Sequence, residues 1–203
     1  MATITDPTNS TRATPNIAAA DAVCHLGSSA FIAAPSTQVW AALLDTSTWP
    51  SWNTFVPRVT IRSHPDSTDD APLSPVLRRG TRMIFHVRMD PTSPKPQAAR
   101  DVFLTVTEFT APNPSTQTPG RIVWVIDGDV AGAMPQMLLN AEREHEVVDM
   151  EQDGQAGTMV RNWELQVGWM VYMIKWTMGA KLQANFELWV SDLKKYVEGS
   201  TSS

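Results

Sequence analysis

Apolar residues recur at three- and four-residue spacing near the end of the chain: Leu182, Phe186, Trp189, Leu193 and Tyr196. That period places them on one helical face. Lys181, Glu187, Lys194, Lys195 and Glu198 fall largely off the stripe. The spacing predicts a long amphipathic helix over 168–198, opening on the apolar run 168–178. A helix with large aromatics on one face needs a broad apolar surface to lie on.

Upstream the period changes to two. Residues 81–89 alternate Met83, Phe85, Val87 and Met89 against Arg82, Ile84, His86 and Arg88. This is the signature of a half-buried antiparallel strand, with Arg82, His86 and Arg88 on a solvated outer face. Similar patterning predicts strands over 25–33, 55–63, 99–109, 121–126, 142–150 and 158–167. Between the first two strands, Pro35-Ser36 opens a helix through Val39, Trp40 and Leu44. Trp49-Pro-Ser-Trp52 then suits a short helical turn with both indoles inward. Residues 64–75, 90–96 and 111–120 read as polar or Pro-rich loops, and 127–140 as a loop or lid. Gln152-Asp-Gly-Gln-Ala-Gly157 supplies a turn. The expected order is one strand, two short helices, six strands and a long C-terminal helix. Hairpin-length and Pro-rich connections imply antiparallel pairing, an α+β arrangement in one domain.

Two strand faces could carry chemistry. Arg143 and His145 share a face of one strand, and Asn162 and Glu164 share a face of the next. A tight turn makes the two strands neighbours. A His and a Glu projecting into an apolar cavity could perform general acid–base work, with Arg143 or Tyr172 stabilising an oxyanion. Plain patterning points the other way for Glu164. Met159, Trp163, Leu165 and Val167 are the more apolar set on the last strand, which would turn them inward and Glu164 outward.

Composition narrows the classes. Sixteen basic and 21 acidic residues give a net charge of −5, which argues against a broad nucleic-acid footprint. The single cysteine, Cys24, excludes an internal disulfide and reads as an ordinary thiol. Four scattered histidines lack ligand spacing, and no phosphate-binding Gly loop, G-x-S-x-G elbow or H-E-x-x-H motif occurs. No metal or cofactor is expected. The most apolar window, 165–178, is interrupted by Gln166 and Lys175 and falls short of a membrane span of ~20 residues. Residues 1–24, rich in Thr, Ala, Ser and Pro, are expected to form a disordered extension of a cytosolic protein, and 199–203 a flexible tail.

The β-αα-β6-α order, with Trp49-Pro-Ser-Trp52-Asn53-Thr-Phe-Val56 after the first helices, resembles the START-like helix-grip superfamily (SRPBCC). This superfamily includes the polyketide cyclase/dehydrase and coenzyme Q-binding groups and the plant pathogenesis-related ligand binders. Further matching marks are Pro35-Ser36-Thr-Gln-Val39-Trp40, Gly80 opening a strand, Ile122-Val-Trp124, Gly157-Thr158 followed by Asn162, Glu164 and Gly168, and the closing Leu193-Lys-Lys-Tyr-Val-Glu198. The resemblance covers residues 25–198. It implies a seven-stranded antiparallel sheet wrapped around the C-terminal helix, with a hydrophobic cavity between them. It also implies a pocket-facing Glu164, against the plain patterning.

On that footing Glu164, His145 and Arg143 are the candidate catalytic residues. Trp124, Asn162, Trp169, Tyr172, Trp176, Phe85 and Met83 are the candidate ligand contacts. The resemblance leaves two readings open: a cofactor-independent cyclase, dehydratase or isomerase of polyketide-type secondary metabolism, or a non-catalytic binder of a lipid, quinone or sterol. A third makes 168–178 a membrane-touching lid, although its Met and Trp residues are read first as core or cavity wall. The oligomeric state is open.

Overall fold

A computed structural model describes residues 12–67, 72–91, 93 and 99–201. Residues 1–11 of the expected extension, loop residues 68–71, 92 and 94–98, and residues 202 and 203 lie outside them. Strand β1 spans Cys24–Ile32. Helices α1, Ser36–Leu44, and α2, Trp49–Trp52, follow. Strands β2 to β7 span Arg58–Ser63, Arg82–Val87, Arg100–Thr110, Gly120–Ile126, Asn140–Gln152 and Gln155–Val167, and helix α3 spans Trp169–Thr201. All seven strands form one antiparallel sheet in the order β1-β7-β6-β5-β4-β3-β2. This is the helix-grip arrangement. Among the described residues no helix is long and apolar enough to cross a membrane.

The inner face of the sheet grips α3 through apolar packing. Trp189 sits at the centre, edge-on to Trp49 with ring centroids 4.9 Å apart and 6.4 Å from Phe85. Such aromatic pairs add about 0.5–1.5 kcal/mol each beyond their buried area. Polar anchors fix the helix lengthwise. Gln183 bonds both the N–H and the carbonyl of Gly27 at 3.2 and 2.7 Å. Thr54 donates its N–H and hydroxyl to Asp192, and Lys194 donates to Phe31 O at 2.6 Å. Register shifts between Ile61 and Ser63 and between Val106 and Glu108 bend the sheet, because an extra residue on one strand increases its twist.

The β6–β7 hairpin sets the geometry of the site. Asp153 and Gly154 both hold positive φ, 53° and 80°, as a two-residue type I′ turn requires. Gln152 therefore pairs with Gln155, and the same register pairs His145 with Asn162 and Arg143 with Glu164. At the other end of β7, Gly168 has φ 116°. A Cβ there would lie 2.4 Å from Leu138 O, so only glycine lets the chain turn sharply into α3.

Three expectations are corrected. Residues 12–23 are not a disordered extension but pack on the outer face of the sheet. The Arg12 guanidinium lies 3.6 Å over the Trp163 ring and bonds Glu146 at 3.0 Å. Trp163 Nε1 donates to Ala13 O, and Asn16 donates twice to Glu142 at 2.7 and 2.8 Å. This arm covers Trp163, so the larger apolar residues of β7 are buried on the outside. Glu164 and Asn162 are consequently turned inward, against the plain patterning. The helix also runs on through 199–201, the start of the expected tail. His86 lies on the outer face as predicted, yet it is buried among Thr60 and Asp101, its ring nitrogens 2.8 and 2.7 Å from them.

Candidate functional site

A cavity of about 230 Å³ lies between the concave face of the sheet and the first half of α3. Inward positions of β3, β4 and β5 supply Phe85, Val87, Leu104 and Trp124, and α3 supplies Ile174, Met178 and Leu182. Its polar lining consists of Arg100 and a cluster formed by Arg143, Glu164 and Gln166.

That cluster is built from the hairpin register. Arg143 Nε donates to Glu164 Oε2 at 2.8 Å, and Gln166 Nε2 donates to Oε1 at 2.5 Å. Both carboxylate oxygens thus carry a donor, and the carboxylate is held rigidly. The guanidinium lies 4.1 Å over the Phe186 ring, so its charge is balanced by a carboxylate on one side and a π-face on the other. Guanidinium carries five N–H donors, and among the described residues Glu164 is bonded through Nε. Such a group can present donors to a ligand carbonyl within an apolar enclosure.

One rung further along the hairpin, His145 and Asn162 are fully buried but do not line the cavity. The Trp124 ring, which does, lies 4.5 Å from the imidazole, and Trp189 lies 5.4 Å away. Neither ring nitrogen of His145 and neither amide atom of Asn162 has a hydrogen-bond partner among the described residues. Burial, reinforced by the positive charge of Arg143, holds the His145 pKa well below the usual imidazole value. His145 is therefore a neutral imidazole at neutral pH, screened from the cavity by Trp124.

The other predicted site residues divide cleanly. Phe85 and Trp124 line the cavity. Met83 is fully buried in the core beside it. Trp169, Tyr172 and Trp176 do not line this cavity: they are 77%, 68% and 88% exposed, and Trp169 and Tyr172 instead border an open surface groove with Val23, Met137 and Gly168. The helical period explains this. Counting back from Phe186 along the buried stripe leads through Leu182 and Met178 to Ile174 and Val171, leaving the three aromatics on the opposite side. Ile174, Met178 and Gln166 were not among the predicted contacts, and the same back-count locates the first two. Cys24 is buried, and burial pushes its thiol pKa up, as for an inert thiol.

Comparison with known proteins gives consistent matches. The family model described as polyketide cyclase / dehydrase and lipid transport matches residues 24–198. The chain is 40% identical over 190 residues, 92% of each chain, to oxopyrrolidines biosynthesis cluster protein O of Penicillium oxalicum. A crystal structure of a hypothetical protein from Helicobacter pylori aligns with TM-score 0.64 at 15% identity, covering 97% of this chain and 99% of that one. A START superfamily protein from Mycobacterium smegmatis aligns with TM-score 0.54 at 13% identity, covering 87% and 98%.

Proposed function

The chain belongs to the polyketide cyclase / dehydrase and lipid transport family, and from that premise we propose that it is a cofactor-independent enzyme of secondary metabolism. Its substrate is an apolar metabolite bearing a carbonyl group, which it cyclises, dehydrates or isomerises in the cavity under α3. The observation that carries this reading is the Arg143–Glu164–Gln166 cluster at one end of an otherwise largely apolar enclosure. The name of the Penicillium oxalicum relative, which refers to an oxopyrrolidines biosynthesis cluster, supports a carbonyl-bearing ligand.

In this mechanism the substrate carbonyl oxygen accepts hydrogen bonds from the Arg143 guanidinium. A proton on the adjacent carbon passes to the Glu164 carboxylate, and its electron pair moves onto the oxygen as an enolate held by Arg143. The enolate then takes the proton back from Glu164 at the far carbon of a conjugated system, which shifts the double bond, or its carbon attacks a second carbonyl, whose oxygen takes that proton as the ring closes. Where the enolate carries a hydroxyl group on the next carbon, its electron pair instead forms the double bond and expels that hydroxyl, which takes the proton from Glu164 and leaves as water. Gln166 keeps the carboxylate oriented. His145 and Asn162 take no direct part.

Replacing Glu164 with Gln in the producing host and following the pathway metabolites by mass spectrometry tests this. We expect the precursor to accumulate and turnover to fall by about 10²-fold or more, the usual worth of a positioned acid–base group. Turnover within about twofold of wild type would remove Glu164 from the chemistry. The predominance of apolar side chains in the lining favours a second reading, a non-catalytic binder or carrier. In that case Glu164→Gln leaves a bound but chemically unchanged ligand.

A further inference from the structure

The outward face of α3's first two turns is as apolar as the inward one. Trp169, Tyr172, Met173 and Trp176 are spaced i, i+3, i+4 and i+7, which sets them in one stripe. Met173 is 55% exposed, and Met137, from the loop before β6, adds a further exposed thioether at 71%. A contiguous exposed patch of two Trp, a Tyr and two Met marks an interaction surface, not a chance exposure of single residues.

We propose that this stripe docks the protein onto an anionic membrane surface, from which the apolar ligand enters the cavity. Three features favour lipid as the occupant. The first is charge. From Trp169 to Phe186 the helix carries Lys175 and Lys181 and no acidic residue, the first acid being Glu187, in a chain whose net charge is −5. Lys181 pairs with Asp90 at 3.0 Å. Lys175 donates to the neutral carbonyl of Val23 at 2.8 Å, so that bond leaves its positive charge uncompensated beside the aromatics. Lysine flanking Trp and Tyr is the pattern of an interfacial helix on anionic lipid.

The second feature is the helix tip. Its first backbone donors, on Trp169, Met170 and Val171, bond the carbonyls of Met137, Leu138 and Gly168. The tip therefore presents none of those three N–H groups bare to the surface it docks on. The third is continuity. Ile174 and Met178, on the same turns as the exposed stripe, line the cavity. One wall of the cavity is thus the back of the docking face, a short apolar path between bilayer and ligand site. Only the identity of the cargo rests on the cavity reading above; docking does not.

Co-flotation of the full chain with vesicles of phosphatidylcholine alone, and with about 30 mol% phosphatidylserine, tests the proposal. The expected result is binding to the anionic vesicles that weakens with added salt. It falls more than about tenfold in the W169S/W176S double variant and about threefold in Lys175→Gln. The two tryptophans are largely exposed, so the melting temperature of the double variant stays close to wild type and a misfolded protein is recognised. Absence of flotation with either vesicle, or equal flotation of W169S/W176S, would overturn the proposal. So would concentration-dependent dimerisation in sedimentation velocity that the double variant abolishes, which would assign the stripe to a second copy of the chain. Ligand retention by purified W169S/W176S, read by native mass spectrometry, reports on the cavity separately.

Discussion

Arg143–Glu164 and His145–Asn162 are consecutive inward rungs of one hairpin, set by one Asp-Gly turn, yet their environments are opposite. The first rung lines the cavity, and its charges are matched by each other, by Gln166 and by the Phe186 ring. The second is sealed behind Trp124, with four polar atoms lacking hydrogen-bond partners among the described residues. Two residues along a strand therefore separate a pair able to meet a ligand from a pair that the core confines. Residue type alone does not make a site, since His145 is the more familiar acid–base group and is the one screened off. What counts is which rung the aromatic lining leaves open.

The largest expected effect breaks the first rung. Arg143→Met leaves the Glu164 carboxylate buried without its cation and should cost about 3–5 kcal/mol of stability, read as a lowered urea midpoint. The double variant R143M/E164L removes both charges and should recover most of that loss. If single and double variants are equally unstable, the coupling of the pair is not what stabilises this rung.

The second rung should respond to pH instead. The folded-state pKa of His145 is depressed, so below about pH 6.5 the unfolded chain binds a proton that the folded one excludes. Its contribution to stability is full above that pH and is lost as the pH falls, with a slope approaching about 1.4 kcal/mol per pH unit. His145→Leu should remove that component from urea melts compared at pH 5.5 and pH 7. At neutral pH it should be close to neutral or stabilising by about 1 kcal/mol, because the ring nitrogens no longer need partners. An unchanged acid slope in His145→Leu would mean that the imidazole is not held neutral.

The turn and the arm should give smaller effects. Gly154→Ala places a side chain at φ 80° and should cost about 1 kcal/mol, loosening both rungs together in amide exchange. Arg12→Ala removes the cation over Trp163 and should cost about 0.5–1 kcal/mol. Faster exchange in residues 12–23, with both rungs still protected, would identify the arm as a cover and not as part of the site.

Much of this was legible in the chain because it rests on local period. The back-count from Phe186 gives the inner stripe of α3, alternation gives the strands, and the turn over 152–157 makes β6 and β7 neighbours, while the Arg143–Glu164 pairing itself depends on the Asp153–Gly154 turn geometry that the structure shows. The orientation of β7 was not legible from patterning. Trp163 and Leu165 outweigh Glu164 and Asn162 in hydrophobicity, and what reverses the expected orientation is the arm laid over Trp163. That arm offers Ile17 as its main large apolar residue and is held by Asn16 and Arg12, whose bonds no composition reveals. Trp169, Tyr172 and Trp176 misled for a related reason: hydrophobicity alone does not say whether a surface is covered by the protein or by a partner.

Native mass spectrometry of the protein purified from its own host compares the two rungs most directly. The account predicts that wild type and His145→Leu retain an apolar, carbonyl-bearing metabolite, and that folded R143M/E164L has lost it. Retention by R143M/E164L together with loss from His145→Leu would contradict it.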